Sequence, residues 1–330
     1  MHRIALDVMG GDDAPRAPIE GALTALDEVA AQLEILLVGD PSVITAVLPD
    51  PLPPGLRIVP ATEAIAMNEA PALAVRRKKD SSIVVGLELQ RAGEADAFIS
   101  AGSTGAVMAA SLLILKRLPG VDRPAIGAVF PTADSPTLVL DSGANMNVRP
   151  GHLRQFAHLG SIYISDLMGI EKPRVGLLNV GLEEAKGDDL AVAAFELLRD
   201  DGALNFVGNV EGHQIIDGVC DVLVCGGFVG NVLLKFYESI AGFVVKLLDG
   251  EPHAGQNETD LKRVFRVLDY AEYGGAPLLG VNGVSIVCHG ASSPRAIKNA
   301  IGVAVRSLES GLIADMAGDL ANLQSAEGGL

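Results

Sequence analysis

Two stretches of the chain couple a short apolar run to a glycine turn, the kind of place where backbone amides meet an anion. In Asp221–Leu234, DVLVCGGFVGNVLL, the run Val222, Leu223 and Val224 reads as a buried strand. Gly226, Gly227 and Gly230 then let the backbone turn tightly and approach a ligand. Helical spacing resumes from about residue 229, so unpaired N–H groups at a positive dipole end form an anion cradle. Asn231 stands in the first turn, where its amide can donate to whatever binds. Asp96–Met108, DAFISAGSTGAVM, repeats the pattern at a constant offset: Asp96 aligns with Asp221, Ile99 with Val224, Gly102 with Gly227 and Gly105 with Gly230. Two related α/β halves, or one local solution used twice, would give that register. Two ordinary βα turns are the plainer alternative.

Polar and glycine residues gather at the carboxyl end of strand after strand. They are Asp7, Gly10, Gly11 and Asp12; Ser100, Gly102 and Thr104; Asp141 and Asn145; Asn179, Gly181 and Lys186; Gly227, Gly230 and Asn231; His289 and Gly290. Each set alone is what any loop needs. Their recurrence points to a small anion, most economically phosphate, held outside the strand ends. Asp141 and Asp12 lack the clustered spacing of a metal site, so turn-capping is the expectation and no metal or other cofactor is assigned.

The elements that would position these residues alternate. Strands are expected at 3–8, 34–39, 56–60, 125–130, 137–140, 174–179, 205–207, 222–224 and 284–288. Helices are expected from the MGGDDAP turn to about 32, over 72–93 with a break near 80–82, over 151–168, to 199 with Asp188 or Asp189 as cap, and from HGASSP to about 308. Such alternation predicts an α/β fold, a mainly parallel sheet with helices on both faces, as a single unit over 1–330. Residues 229–272 read as a protruding helical hairpin, with Leu233, Phe236, Ile240, Phe243 and Val244 at helical spacing and a polar tip, GEPHAGQNE. Packing against its mate or a second subunit is the expected use of that apolar face. The tail after Asp315 reads as small, polar and frayed.

Composition narrows the classes. Aromatic residues make up 4% with no Trp, and the formal net charge is −16, both of which count against nucleic acid. The N-terminus enters a strand without a signal core, so the expected location is cytoplasmic. Cys220, Cys225 and Cys288 fit a reducing compartment and read as buried thiols, an acyl-accepting Cys225 being the minor alternative.

At these motifs the chain resembles the bacterial acyl-acyl carrier protein:phosphate acyltransferase family of phospholipid synthesis. The resemblance rests on ALDVMGGDDAP, RRKKDSS, EADAFISAGSTGAVMAA, LDSGAN, RVGLLNVGLEEAKGDDL, NFVGNVEG, VCGGFVGNVLLK, LDYAEYGGAPLLG and CHGASSPRAIKNAI, and covers nearly the whole length. It implies a fold similar to phosphotransacetylases and decarboxylating dehydrogenases, a homodimer, and Lys186 and Asn231 as catalytic residues. Asp13 stands where the family carries His, Gly226 where it carries an acidic residue, and Asn68 and Ala70 also depart from the family run.

The implied reaction moves a fatty acyl group from acyl carrier protein to inorganic phosphate, giving acyl phosphate. Phosphate is already anionic and a thiol leaves readily as thiolate, so positioning and oxyanion stabilisation carry the chemistry. Lys186 would neutralise phosphate or the oxyanion, and Asn231 would orient one of them; a solvated lysine is the alternative. His289 would donate to phosphate or satisfy its own loop. A coenzyme A-dependent phosphotransacetylase, a dehydrogenase of the same general fold, and a non-catalytic scaffold are the rival readings. The carrier is acidic, as this chain is, so docking needs a local basic face. Arg76, Arg77, Lys78 and Lys79 are the densest cluster, and Lys262, Arg263 and Arg266 a second. Weak peripheral membrane contact and a downstream membrane acyltransferase complete the implied partners.

Overall fold

The computed structural model describes residues 1–28, 32–132, 135–249 and 274–327. Contacts group the chain into two compact units. Unit 1 is formed by Met1–Pro124 with Tyr273–Leu330, and unit 2 by Ala125–Glu272.

Unit 1 carries β1 (His2–Asp7), β2 (Leu33–Gly39), β3 (Leu56–Pro60), β4 (Ala97–Ser100), β10 (Ala276–Leu279) and β11 (Val284–Val287), in the spatial order β3-β2-β1-β4-β11-β10. All neighbours are parallel except β10 with β11. Ile4, Ala5, Leu6, Phe98 and Ile99 are wholly buried, the continuous apolar run of strands covered on both faces. The covering helices are α1 (Arg16–Glu28), α2 (Pro41–Thr45), α3 (Pro71–Arg77), α4 (Ser82–Arg91), α5 (Thr104–Ile114), α9 (Pro294–Glu309) and α10 (Leu312–Glu327). The expected break at 80–82 is the α3–α4 junction. Helix α1 crosses α9 where Gly21 leaves room: a Cβ there would lie 2.6 Å from the Ile297 Cβ. Pro294 at the first helical position and Ser293, whose Oγ accepts from Ala296 N at 3.3 Å, start α9.

Unit 2 carries β5 (Ala125–Phe130), β6 (Thr137–Leu140), β7 (Arg174–Asn179), β8 (Asn205–Glu211) and β9 (Val222–Val224), ordered β5-β6-β9-β7-β8. Only the β5–β6 pair is antiparallel. Helices α6 (Pro150–Met168), α7 (Asp189–Arg199) and α8 (Gly227–Asp249) belong to this unit. Pro150 opens α6 and left-handed Gly169 closes it. Asp188 caps α7, its side chain accepting from Ala191 N at 2.8 Å.

The tail is a correction. It forms α10 rather than fraying, because Leu312, Met316 and Leu320, four residues apart, share one face and are buried. Strand β10 was not expected at all. Of the hairpin, its first helix is α8, and residues 250–272 lie outside the described residues, with Lys262, Arg263, Arg266 and the GEPHAGQNE tip. Among the described residues no helix is long and apolar enough to cross a membrane.

Candidate active site

Each unit builds one corner on a buried aspartate at the end of a strand. In unit 1 the register of β1 with β4 sets Asp7 opposite Ser100. Asp7 Oδ2 accepts from Ser100 Oγ at 2.6 Å and Oδ1 from Met9 N at 3.0 Å, while Ser100 Oγ accepts from Gly102 N at 2.9 Å. Burial pushes the Asp7 carboxyl above its ordinary value, opposed by hydrogen bonds from Ser100, Ser82, Met9 and Gly10. A side chain at Gly10 is impossible without movement, since its Cβ would lie 2.6 Å from both Asp7 Oδ2 and Gly102 N. Left-handed Gly11 leads to Asp12, whose N–H donates to Gly290 O at 2.7 Å. His289 Nδ1 accepts from Ala291 N at 3.1 Å, so this ring nitrogen serves its own loop. Thr104 is exposed at the start of α5. Unit 1 therefore gathers Asp7, Gly10, Gly11, Asp12, Gly102 and Gly290 through direct contacts, whereas His289 bonds within its own loop.

In unit 2 Asp141 follows β6 and is wholly buried. Its Oδ1 accepts from Ile126 N at 3.1 Å and Ala144 N at 3.0 Å; its Oδ2 accepts from Asn145 N at 2.7 Å and Asn145 Nδ2 at 2.9 Å. Burial raises the Asp141 carboxyl, and these same donors oppose the rise. Four donors on two oxygens make Asp141 the organiser of the DSGAN turn. Helix α8 starts hard against this turn: Gly227 N donates to Asn145 O at 3.0 Å, and a Cβ on Gly227 would lie 2.7 Å from Asp141 Oδ2. A Cβ on Gly230 would overlap the Asp141 carbonyl oxygen. Asn231 lies beside left-handed Gly143, where a Cβ would sit 3.3 Å from the Asn231 Oδ1. The glycine turn thus presents the first turn of α8, with its positive dipole end, next to Asn231.

Lys186 is held on an exposed loop after β7. Asn179 Nδ2 donates to Lys186 O at 3.0 Å, and Asn179 Oδ1 accepts from Val180 N at 2.8 Å. Lys186 N donates to Glu183 O at 3.1 Å, and Asn209 Nδ2 to the same carbonyl at 2.9 Å. Gly181 passes so close that a Cβ there would lie 2.9 Å from Lys186 Cγ. Asn209 on β8 was not singled out by the sequence reading. Its position in NFVGNVEG carries no local signal for a contact 26 residues away.

Between these parts of unit 2 lies an apolar cavity of about 830 Å³. Asn179, Gly187 and Asp188 line it near Lys186 in sequence, and Cys225, Gly226, Phe228 and Val232 near Asn231; neither Lys186 nor Asn231 itself is among the lining residues. All three cysteines are buried, and burial pushes Cys225 up to about 12, with the Asp141 charge adding to the rise. A thiol so held stays protonated at neutral pH, which counts against a nucleophilic Cys225. Among the described residues no group of three or more His, Cys, Asp or Glu is placed to hold a metal ion.

The basic cluster divides. Arg76 and Arg77 end α3 and are exposed, as is Lys79, whereas Lys78 is engaged with Glu69 Oε1 at 2.7 Å and Ala64 O at 2.7 Å.

The chain matches the family described as fatty acid synthesis protein over residues 2–315. It is 50% identical to a phosphate acyltransferase of Desulfitobacterium hafniense over 335 residues, covering 98% of this chain and 99% of that protein. A phosphate acyltransferase of Heliobacterium modesticaldum is 50% identical over 323 residues, covering 94% and 96%. Among solved structures, the EutD phosphotransacetylase from Staphylococcus aureus superposes with a TM-score of 0.60 at 17% identity, covering 93% of this chain and 94% of that one. A branched-chain phosphotransacylase from Enterococcus faecalis gives 0.57 at 14% identity, covering 93% and 100%. These structural likenesses establish the fold.

Proposed function

The chain belongs to the fatty acid synthesis protein family and is a phosphate acyltransferase of fatty acid and phospholipid synthesis, and from that premise we propose that its acyl donor is acyl-acyl carrier protein. The product is then acyl phosphate and the free thiol of the carrier's prosthetic arm. The observation that carries the reading is that the Lys186 loop and the Asn231 turn border one cavity of unit 2.

A phosphate oxygen attacks the thioester carbonyl, the C–O bond forms, and the tetrahedral oxyanion collapses with cleavage of the C–S bond. The sulphur departs with its electron pair and takes up a solvent proton; a thiol of ordinary pKa about 8.5 is a competent leaving group. Lys186 balances the charge of phosphate or of the oxyanion, and Asn231 with the first turn of α8 orients it. The buried Asp141 fixes the turn on which Asn231 is presented and does not transfer a proton. Asp7, Gly10, Gly11, Asp12, Gly102, Thr104 and His289 form a further phosphate-binding corner within unit 1. Arg76, Arg77 and Lys79 receive the acidic carrier, and the exposed Ile240 and Phe243 of α8 supply a homodimer contact for which light scattering is the check. Contact with a membrane surface, and delivery of acyl phosphate to a membrane acyltransferase, belong to the same reading.

The test is hydroxylamine trapping of acyl phosphate, with carrier-bound and coenzyme A-bound donors side by side. Lys186→Ala and Asn231→Ala should each lower turnover about 10²–10³-fold, the usual loss on removing one oxyanion donor. Turnover within a few-fold of wild type in a folded variant removes that residue from the mechanism. Equal use of the coenzyme A donor favours the phosphotransacetylase reading instead.

A further inference from the structure

We propose that the unit 2 cavity, walled by Met146, Val148, Leu153, Ala191, Val232 and Phe236, holds the hydrocarbon tail of the acyl donor and sets its preferred length. The inference rests on the acyltransferase reading above and assigns the site of the tail, which that reading leaves open. The cavity of about 830 Å³ falls within the range of small-molecule sites. Its walls come from the segment that follows the DSGAN turn, from α6, from the end of β7, from the start of α7 and from α8, and are mostly aliphatic or aromatic. Its polar side chains are Asn147, Asn179 and Asp188, the last two flanking the Lys186 loop in sequence. A tail site must adjoin the place where the head reacts, and the lining of this cavity includes Gly187, next to Lys186, and Val232, next to Asn231.

Three details favour a tail over a polar occupant. Cys225 at the inner wall is a neutral thiol, pushed up to about 12, and neither attacks a thioester nor repels a hydrocarbon. Gly226 leaves the entrance clear, since a Cβ there would meet only Val148 Cγ2, at 3.3 Å. Among the lining residues, Phe228 is 63% exposed, Val232 53% and Phe236 63%, a concentration of large apolar side chains in water that calls for an apolar ligand. Each buried methylene strengthens binding up to about fourfold, so a cavity of fixed depth produces a rising length profile with a defined end.

The experiment fills the cavity from two opposite walls. Ala191→Phe places a ring at the start of α7, and Val232→Trp places one on the exposed side of α8. Donors of graded acyl length are compared by kcat/KM from hydroxamate trapping. In parallel, the fluorescent fatty acid cis-parinaric acid reports occupancy without turnover, and thermal melts report folding. Expected are a wild-type fluorescence enhancement displaced by palmitate, its loss in both variants, and a fall of about tenfold or more in the ratio of long-chain to short-chain kcat/KM. An unchanged length profile in folded variants overturns the inference, and does so equally if the variants instead lose self-association, which would assign the cavity to a second copy. If wild type forms no acyl phosphate from any donor, the acyltransferase reading fails, while parinarate binding still decides whether the cavity takes a tail.

Discussion

Gly230 lacks a side chain because the Asp141 carbonyl occupies the place where one would begin. The obstacle is backbone at the end of β6, so relief requires α8 to lift away from the DSGAN turn. Gly230→Ala should therefore destabilise the protein by about 1–3 kcal/mol, the cost of overpacking, and displace Asn231 by the same movement. The expected result is a lower melting temperature together with a turnover loss that added phosphate only partly restores. A variant with wild-type melting and kcat would show that the helix has slack at this point. By contrast Gly226, one step outside the tight contact, has room for a small side chain.

At the scale of elements, the two glycine corners share a staple. Arg3, at the start of β1, grips Asp96 with its own N–H at 2.7 Å, Nε at 3.3 Å and Nη2 at 2.7 Å. Arg174, at the start of β7, grips Asp221 with N–H at 2.7 Å, Nε at 3.2 Å and Nη2 at 2.9 Å. Each aspartate immediately precedes the strand that leads into the glycines. Burial alone would raise both carboxyls, but the arginine bonds outweigh it and hold both below their ordinary value. A carboxyl that releases its proton more readily when folded leaves the unfolded chain binding more protons as pH drops. The staples therefore stabilise fully above about pH 4 and lose that contribution progressively in more acid solution. The pair at Asp221 is asymmetric: the aspartate side chain is 5% exposed and the arginine 40%. Arg174→Ala strands a buried carboxylate and should cost about 2–3 kcal/mol, below the figure for a fully buried pair because solvent already reaches the guanidinium. Asp221→Asn leaves a neutral amide beside Arg174, which keeps its bond to Gly218 O at 2.9 Å, and should cost less and flatten the acid limb of a urea-stability profile. If both variants cost the same at neutral pH, the asymmetry has no energetic content. The sequence aligned Asp96 with Asp221 through the glycines, but not their arginines, which lie 93 and 47 residues away. Local signals fared better. Leu56–Pro60, Ala125–Phe130, Thr137–Leu140 and Arg174–Asn179 have the expected bounds because apolar runs between breakers mark buried strands. Strand β10 was missed because Ala276–Leu279 is short and contains Pro277. Helix α10 was missed because its small polar residues hid the fourfold spacing of Leu312, Met316 and Leu320. The polar rim was legible as residue types, whereas the apolar cavity beside it is assembled from four separated segments and has no signature along the chain.

For the whole molecule, a net charge of −16 works against an acidic partner, so any docking must be local. The exposed cations around the end of α3 supply such a face, and Lys78 beneath them is tied down by Glu69. Arg76→Glu combined with Arg77→Glu should raise KM for a carrier-bound donor about tenfold at low salt with kcat retained, and the effect should fade as salt is added. An unchanged KM places docking elsewhere.

Unit 1 is written in two instalments, with all of unit 2 between them. Strand β4 is made after its sheet neighbour β1, yet its other neighbour, β11, begins only at Val284. At ordinary translation speeds the interval is roughly 10–40 s. Throughout that wait a row of main-chain donors and acceptors on β4 stays unpaired, a strand edge open to any stray strand until β11 is made.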